Sequence, residues 1–226
     1  MLRKWTRKPN TTARKWPGNT SSLPIAMPAS EQKRGKAVLY VFFGMIATGK
    51  STLSQAWARH KQLRSYNSDL VRKELAGIRP TDSRRQTIDA GIYARDFSRK
   101  TYSALLARAG AGLQRGESVI IDASYQFARD RKDIKTLAKS LNCQVYFILC
   151  QCSEVEMKRR MDERAQDPAA VSDGRWEIYL EQKKRFEPPD ELAVPELIII
   201  NTQAPLEDLL EELDRKLPNN FKTQKR

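Results

Sequence analysis

Gly44-Met45-Ile46-Ala47-Thr48-Gly49-Lys50-Ser51 satisfies the pattern G-x-x-x-x-G-K-S/T, and it lies between an apolar run and a helical pattern. Glycines permit a tight loop whose backbone N–H groups converge on phosphate oxygens, and the following helix directs its positive end at the same anion. The context of strand, loop and helix therefore predicts a P-loop that binds ATP. The residues expected to contact the nucleotide are Gly44, Met45, Ile46, Ala47, Thr48, Gly49, Lys50, Ser51 and Thr52.

Outward from this loop, the chain alternates apolar strands with amphipathic helices. Continuous apolar runs predict buried strands at 37–43, 118–122, 144–150 and 197–201, and a weaker strand ends near Tyr66. Repeated strand-then-helix units are typical of a parallel sheet covered by helices on both faces. We therefore predict one α/β domain over residues 37–216.

The positive charge of the chain is concentrated at its two ends. The formal net charge is +14, and residues 1–36 carry nine Lys or Arg against one acid, whereas residues 37–216 carry 29 basic and 26 acidic residues. We expect 1–36 to be a basic, Pro-rich disordered tail and 217–226 a basic C-terminal tail. Nucleic-acid binding through these tails is an alternative that the near-neutral domain does not favour.

The sequence shows no membrane or secretory signal. No apolar run approaches the ~18 residues needed to cross a bilayer, and the prolines before Glu31 break the amphipathic helix of an organellar presequence. Cys143, Cys150 and Cys152 lie close together and are interpreted as packing residues of reduced thiol form, because a zinc site would need a second Cys or His pair. These features predict a cytoplasmic protein; Met27 is an alternative start.

Two carboxylates follow predicted strands. Phosphoryl transfer to a hydroxyl needs a group that accepts the proton, and in a parallel sheet such a group lies beyond the carboxyl end of a strand. Asp69 has that place, and Arg72 is one helical turn away on the same face. Asp122 ends the strand 118–122 and, with the hydroxyl of Ser51, is predicted to ligate Mg²⁺. The alternatives are a helix cap with a surface ion pair for Asp69 and a turn cap for Asp122.

Two arginines lie on a helical pattern after the strand 144–150. Arg160 and Arg164 share a face at a spacing of i, i+4. Guanidinium groups on a lid can neutralise the charge of a transferred phosphoryl, although mixed Glu and Arg patterns are also typical of solvated helix surface. Trp176 and Tyr179 are interpreted as packing residues.

With these elements in place, the sequence resembles a family of predicted P-loop kinases with an AAA-type ATP-binding domain, related to zeta toxins, chloramphenicol phosphotransferase and polynucleotide 5′-kinases. The segments that carry the resemblance, besides the P-loop, are 68–77, Gly91-Ile92-Tyr93, 119–124 with Arg131, Ser172-Asp173 and Arg185-Phe186-Glu187-Pro188-Pro189. Ser124 is a departure, since relatives often carry Thr there.

The resemblance implies a P-loop NTPase fold of the nucleotide-kinase type, with a five-stranded parallel sheet and a helical lid between the fourth and fifth strands. It implies that Asp69 activates the substrate, with Arg72 as its companion in an Asp-x-x-Arg pattern, that Lys50 acts on the phosphates, and that Arg160 and Arg164 are lid arginines. We expect an ATP- and Mg²⁺-dependent kinase acting on a hydroxyl of a small molecule. The alternatives are a polynucleotide or toxin-like kinase and an ATP-dependent nucleic-acid-associated module.

Overall fold

The computed structural model describes residues 36–79, 94–166 and 176–217. The strands are β1 (Val38–Phe43), β2 (Arg64–Asn67), β3 (Val119–Asp122), β4 (Gln144–Gln151) and β5 (Leu197–Asn201). The helices are α1 (Lys50–Lys61), α2 (Ser68–Leu75), α3 (Arg95–Gln114), α4 (Ala128–Ser140), α5 (Glu154–Ala165), α6 (Trp176–Arg185) and α7 (Leu206–Lys216). Several predicted segments lie outside the described residues. They are the predicted tails up to residue 35 and from residue 218, and the motif segments Gly91-Ile92-Tyr93 and Ser172-Asp173.

The sheet has the order β2-β3-β1-β4-β5, and all four strand pairs are parallel. The chain runs from β1 out to β2, returns to β3 and then crosses β1 to reach β4. The carboxyl ends of all strands therefore meet at one edge, and the connections leave β1 towards opposite sides, where ligands bind in sheets of this kind. The predicted five-stranded parallel sheet is confirmed.

Helices cover both faces of this sheet, and β1 is therefore buried on both sides. Leu39, Val41 and Phe43 pack on the face covered by α3 and α4, and the alternate residues of β1 pack on the face covered by α1 and α7. A strand buried on both faces reads as a continuous apolar run, which explains why it was visible in the sequence.

The predicted element ends agree with the structure to within one residue for most strands. α2 begins at Ser68 as expected, and Gly116, with φ +77°, follows α3 before β3. All three cysteines are free thiols near β4, with Cys150 buried. No helix within the described ranges is long and apolar enough to cross a membrane.

Helices α5 and α6 occupy the connection between β4 and β5, where the helical lid was expected. Trp176 and Tyr179 pack with Met157 and Met161 in a small apolar cluster that also contains Ile46 of the P-loop. The packing interpretation of the two aromatic residues is therefore confirmed, and the cluster places α5 and α6 against the P-loop.

A buried arginine joins the chain after α6 to the start of α4. The guanidinium of Arg131 is fully buried, donates to the carbonyl oxygens of Tyr125, Glu187 and Pro188 at 2.9, 3.1 and 3.1 Å, and pairs with Glu191 at 2.5 Å. Arg131 and the 185–189 segment, which the sequence singled out separately, are thus in direct contact.

Candidate active site

The P-loop uses glycine where no other residue fits. At Gly44, φ is +139° and a Cβ atom would lie 2.5 Å from the carbonyl oxygen of Cys150; at Gly49, φ is +79° and a Cβ atom would lie 2.8 Å from Nη1 of Arg160. A side chain at Gly44 would collide with the backbone of β4. At Gly49 the positive φ would strain any other residue, and the nearest atoms are side-chain atoms of Arg160 and Thr202. The glycines of the motif therefore let the loop pass close to β4 and to α5.

Contacts within the loop and from α6 hold it in shape. The carbonyl oxygen of Met45 accepts hydrogen bonds from Thr48 Oγ1 at 2.8 Å and from Lys50 Nζ at 3.4 Å. The backbone N–H of Ile46 donates to Oε1 of Gln182 in α6 at 2.8 Å. Lys50 is half-buried and opens α1, so its ammonium group lies beside the positive end of that helix.

Asp122 ends β3 beneath this loop. It is 1% exposed, and its Oδ2 accepts a hydrogen bond of 2.6 Å from Asn67 Nδ2, which lies 3.4 Å from Ser51 Oγ. Oδ1 is buried without a hydrogen-bond partner among the described residues. Burial raises the pKa of Asp122, while the charge of Lys50 and hydrogen bonds from Ser51 and Asn67 act in the opposite direction.

Asn67 also fixes Asp69. Its Oδ1 accepts the backbone N–H groups of Asp69 and Leu70 at 2.9 and 3.1 Å, so it is the N-cap of α2. One side chain thus joins the end of β3, the Ser51 hydroxyl and the first turn of α2. Asp69 itself is half-buried and does not cap the helix, which removes that alternative for it.

Asp69, Arg72 and Lys50 line one cleft of about 690 Å³. Arg72 is 6% exposed and donates from Nη1 to Ser98 Oγ in α3 at 3.0 Å. The cleft is also lined by α3, by α6 and by the connection between β3 and α4. Ser124 of that connection hydrogen-bonds Tyr102 of α3 at 2.9 Å. The structure therefore brings three of the five predicted catalytic residues into one space.

The other two, Arg160 and Arg164, line a second cleft of about 460 Å³ together with Gly49, Thr52 and Thr202. Arg160 donates to Glu156 at 2.7 Å, to the Thr202 carbonyl at 2.7 Å and to the Ala47 carbonyl of the P-loop at 3.4 Å. These contacts hold Arg160 of α5 against the P-loop and the residue after β5, and its role as a lid arginine stays a prediction.

Comparison with known sequences places the chain in a family. The sequence profile of an AAA domain family matches residues 39–189, which include β1, the P-loop, both clefts' main helices and the segment held by Arg131. The chain belongs to this AAA domain family. Among curated proteins, no sequence matches the chain.

Solved structures share the fold of this AAA domain. A candidate kinase of Chloroflexus aurantiacus aligns with a TM-score of 0.61 at 20% identity over 81% of this chain and 100% of its own. Kti12 of Chaetomium thermophilum with ADP-AlF3 gives 0.58 at 14% over 80% and 99%. The APS kinase CysC of Mycobacterium tuberculosis with AMPPNP and APS gives 0.56 at 17% over 81% and 97%. At these identities the likeness is one of fold, which is a P-loop kinase-like α/β fold.

Three residues that contact the P-loop or Asp122 were not predicted from the sequence: Asn67, Gln182 and Thr202. Asn67 carried a usable signal, since an Asn directly before a helical pattern is a preferred N-cap. Gln182 contacts a residue 136 positions away, and Thr202 donates to the Thr48 carbonyl 154 positions away at 2.7 Å. No spacing rule links such distant positions.

Proposed function

We propose that the protein is an ATP- and Mg²⁺-dependent kinase that transfers the γ-phosphoryl group of ATP to a hydroxyl group of a small molecule. The observation that carries the proposal is the shared cleft of Lys50 and Asp69. The charges of Lys50 and Asp69 also act on the pKa of the buried Asp122. One edge of the sheet therefore carries a cation for the phosphates, a carboxylate for the acceptor and a carboxylate for a metal.

The P-loop supplies the binding of the phosphates. Its backbone N–H groups and the positive end of α1 attract the β- and γ-phosphates, and the Lys50 ammonium neutralises charge on the same oxygens. Because this stabilisation is electrostatic and the donors are already in place, little reorganisation is needed when the reaction occurs.

The residues below the loop fit Mg²⁺. Asp122 offers a buried oxygen that lacks a partner among the described residues, and the Ser51 hydroxyl lies close to the Asn67 amide that holds the other oxygen. Mg²⁺ favours one or two protein oxygens together with waters and phosphates, and the described residues contain no group of three or more His, Cys, Asp or Glu that could form a full protein cage. Mg²⁺ held by Asp122 and Ser51 would neutralise the negative charge that develops on the phosphate oxygens during transfer.

Asp69 is assigned to the acceptor. The acceptor hydroxyl oxygen forms a bond to the γ-phosphorus as the bond from that phosphorus to the β–γ bridging oxygen breaks, ADP leaves, and the hydroxyl proton moves to the Asp69 carboxylate. Asn67 caps α2 and so fixes the backbone that carries Asp69. Arg72 lines the same cleft, is held there by its hydrogen bond to Ser98, and orients the acceptor.

Arg160 and Arg164 are assigned to the nucleotide from the other side of the P-loop. Arg160 contacts a P-loop carbonyl and Thr202, which in turn donates to the Thr48 carbonyl. We propose that the pair neutralises phosphate charge at this side, and that Arg160 in addition supports the shape of the loop.

Lys50→Ala and Asp69→Asn test the assignment because they should fail in different ways. Lys50→Ala should weaken ATP binding together with turnover. Asp69→Asn keeps the size of the side chain and a hydrogen-bonding oxygen, so ATP should still bind while transfer falls by ~10²- to 10⁴-fold, or less if the transition state is loose.

Calorimetry of ATP binding beside single-turnover ATP hydrolysis separates the two variants before the acceptor is known. Hydrolysis uses water in place of the acceptor, so it can survive in Asp69→Asn but should fall with ATP binding in Lys50→Ala. If Asp69→Asn loses ATP and Mg²⁺ binding as completely as Lys50→Ala does, Asp69 is a metal-site residue and the base lies elsewhere. Retention of full ATP affinity in Lys50→Ala would refute nucleotide binding by this loop.

A further inference from the structure

One face of α3 forms the wall of the large cleft next to Asp69. Arg95, Ser98, Arg99 and Tyr102 all line the cleft, at the spacing i, i+3, i+4 and i+7 that places them along one side of a helix. Arg72 of α2 joins this wall through its hydrogen bond to Ser98. We use the name α2–α3 wall for Asp69 and Arg72 of α2 together with Arg95, Ser98, Arg99 and Tyr102 of α3. The wall carries three guanidinium groups and one carboxylate, that of Asp69.

Two of these guanidinium groups are not neutralised within the described part of the chain. Arg95 and Arg99 make no ion pair with a described residue, and both are exposed to the cleft. Other arginines near the same helix are paired: Arg108 with Glu74 at 2.6 Å and Arg115 with Glu117 at 2.9 Å. The paired arginines lie outside the cleft lining, so the unneutralised charge is on the side that faces the acceptor space.

Four carboxylates of the cleft lie on the opposite side, and three of them have local partners. Asp130 pairs with Arg129 at 3.5 Å, and Glu187 accepts the Ala128 N–H at 2.7 Å. Glu181 pairs with Lys184 at 2.8 Å, and Asp133 completes the set. The charge of the cleft lining is therefore uneven: the α2–α3 wall carries three arginines and one acid, whereas the side of α4 and α6 carries four acids and two arginines, Arg129 and Arg185.

The start of α3 adds to the positive side. No side chain of the described residues caps its first turn, and the helix runs for 20 residues. The partial positive charge of a helix N-terminus favours anions over a short range, and it acts here in the same direction as Arg95 and Arg99.

We propose that the α2–α3 wall binds an anionic group of the phosphoryl acceptor, so that the acceptor is a small hydroxy compound carrying a phosphate or carboxylate. This inference rests on the proposed kinase function and names its substrate class. Arg95 and Arg99 hold the anion, since guanidinium groups bind phosphate and carboxylate oxygens in pairs. The acceptor hydroxyl then lies towards Asp69 and Lys50.

The test is calorimetry on the full chain saturated with ADP and Mg²⁺, so that the nucleotide site is filled before the probe is added. The probes are neutral parents with their anionic derivatives: glycerol with glycerate and glycerol 3-phosphate, ribose with ribose 5-phosphate, and glucose with gluconate and glucose 6-phosphate. At least one anion should bind ~10-fold more tightly than its neutral parent. The carboxylate and phosphate members separate the two anion types.

The double variant Arg95→Gln with Arg99→Gln should lose this preference, with affinity for the anion falling ~10- to 100-fold, because charged hydrogen bonds are removed. The matched control is Arg108→Gln with Arg115→Gln, which removes the same charge outside the cleft lining. The control should keep the preference for the anion, and both double variants should bind ADP as the unaltered protein does.

Three results would overturn the inference. The first is ADP binding with no anion preferred to its neutral parent, and the second is equal loss of anion binding in the two double variants. The third is binding of a 5′-hydroxyl oligonucleotide in the absence of binding by any small anion, which would identify a polynucleotide acceptor. A failure to bind ADP itself would instead refute the proposed function and, with it, this inference.

Discussion

We expect Asp122→Asn to raise the stability of the nucleotide-free protein, because the carboxylate that we propose as a Mg²⁺ ligand is buried. The side chain is 1% exposed, one of its oxygens lacks a partner among the described residues, and burial raises its pKa. An acid whose pKa is raised by folding binds its proton more tightly in the folded state. Its ionised form therefore costs stability once the pH rises through the folded pKa.

The sign of the change follows from linkage. Because burial raises the pKa of Asp122, its ionised form is less favourable in the folded than in the unfolded protein, so removal of the charge should stabilise the nucleotide-free protein at neutral pH and raise its melting temperature. The amide introduced by Asp122→Asn can still present its oxygen to the Asn67 side chain. The difference between the two proteins should disappear below a pH of about 4, where Asp122 is protonated in the unfolded state as well.

Nucleotide reverses the order of stability. Mg²⁺ with AMPPNP at about 100 times its Kd should stabilise the unaltered protein by ~2.7 kcal/mol, whereas a 100-fold loss of affinity in Asp122→Asn would leave only ~0.4 kcal/mol. Thermal unfolding at pH 7.5, with the nucleotide and Mg²⁺ or with EDTA, measures both effects. Asp162→Asn, an exposed position on α5, is the control and should change stability by no more than ~0.5 kcal/mol.

Either half can fail separately. If Asp122→Asn is less stable than the unaltered protein without nucleotide, the attraction of Lys50 and the hydrogen bonds outweigh burial, and the reasoning from burial is wrong. If Mg²⁺-dependent stabilisation persists in full, Asp122 does not hold the metal.

Arg131→Ala should lower stability by about 3–5 kcal/mol, since it leaves buried carbonyl groups without donors, and Arg131→Lys should recover only part of this loss; denaturant unfolding measures both. Arg160→Gln should weaken ATP binding together with turnover, because Arg160 contacts the P-loop carbonyl of Ala47. A loss of turnover at unchanged ATP affinity would instead identify a lid arginine. Removal of residues 1–36 should leave ATP affinity and melting temperature nearly unchanged by calorimetry and thermal unfolding, and a drop of several degrees would contradict their assignment as a tail.

The sequence allowed the fold to be predicted because its decisive signals are local. A continuous apolar run predicts a strand buried on both faces, and the glycine pattern predicts the loop; each signal fits within about ten residues. The order of the strands was not predicted, because alternation of strands and helices fits more than one parallel arrangement, and the resemblance to a family supplied only the number of strands.

The site was predictable only where it follows directly from a strand end. Lys50, Asp69 and Asp122 each lie at the carboxyl edge of the sheet, so knowledge of the sheet places them near one another. The position of Arg160 depends on Thr202 and on the Ala47 carbonyl, which α5 reaches through packing. Helical spacing predicted that Arg160 and Arg164 share one face of their helix, but it did not predict which cleft that face lines.

Charge within the large cleft connects the two proposals. An anionic acceptor brings a second negative group near the γ-phosphate, and two unit charges ~6 Å apart repel by about 3 kcal/mol at an effective dielectric constant of 20. Lys50 alone cannot neutralise both groups. Arg95 and Arg99, which line the same cleft and make no ion pair with a described residue, would offset this repulsion at the acceptor end. Their removal should therefore weaken anionic acceptors selectively, because a neutral acceptor adds no repulsion that the wall must offset.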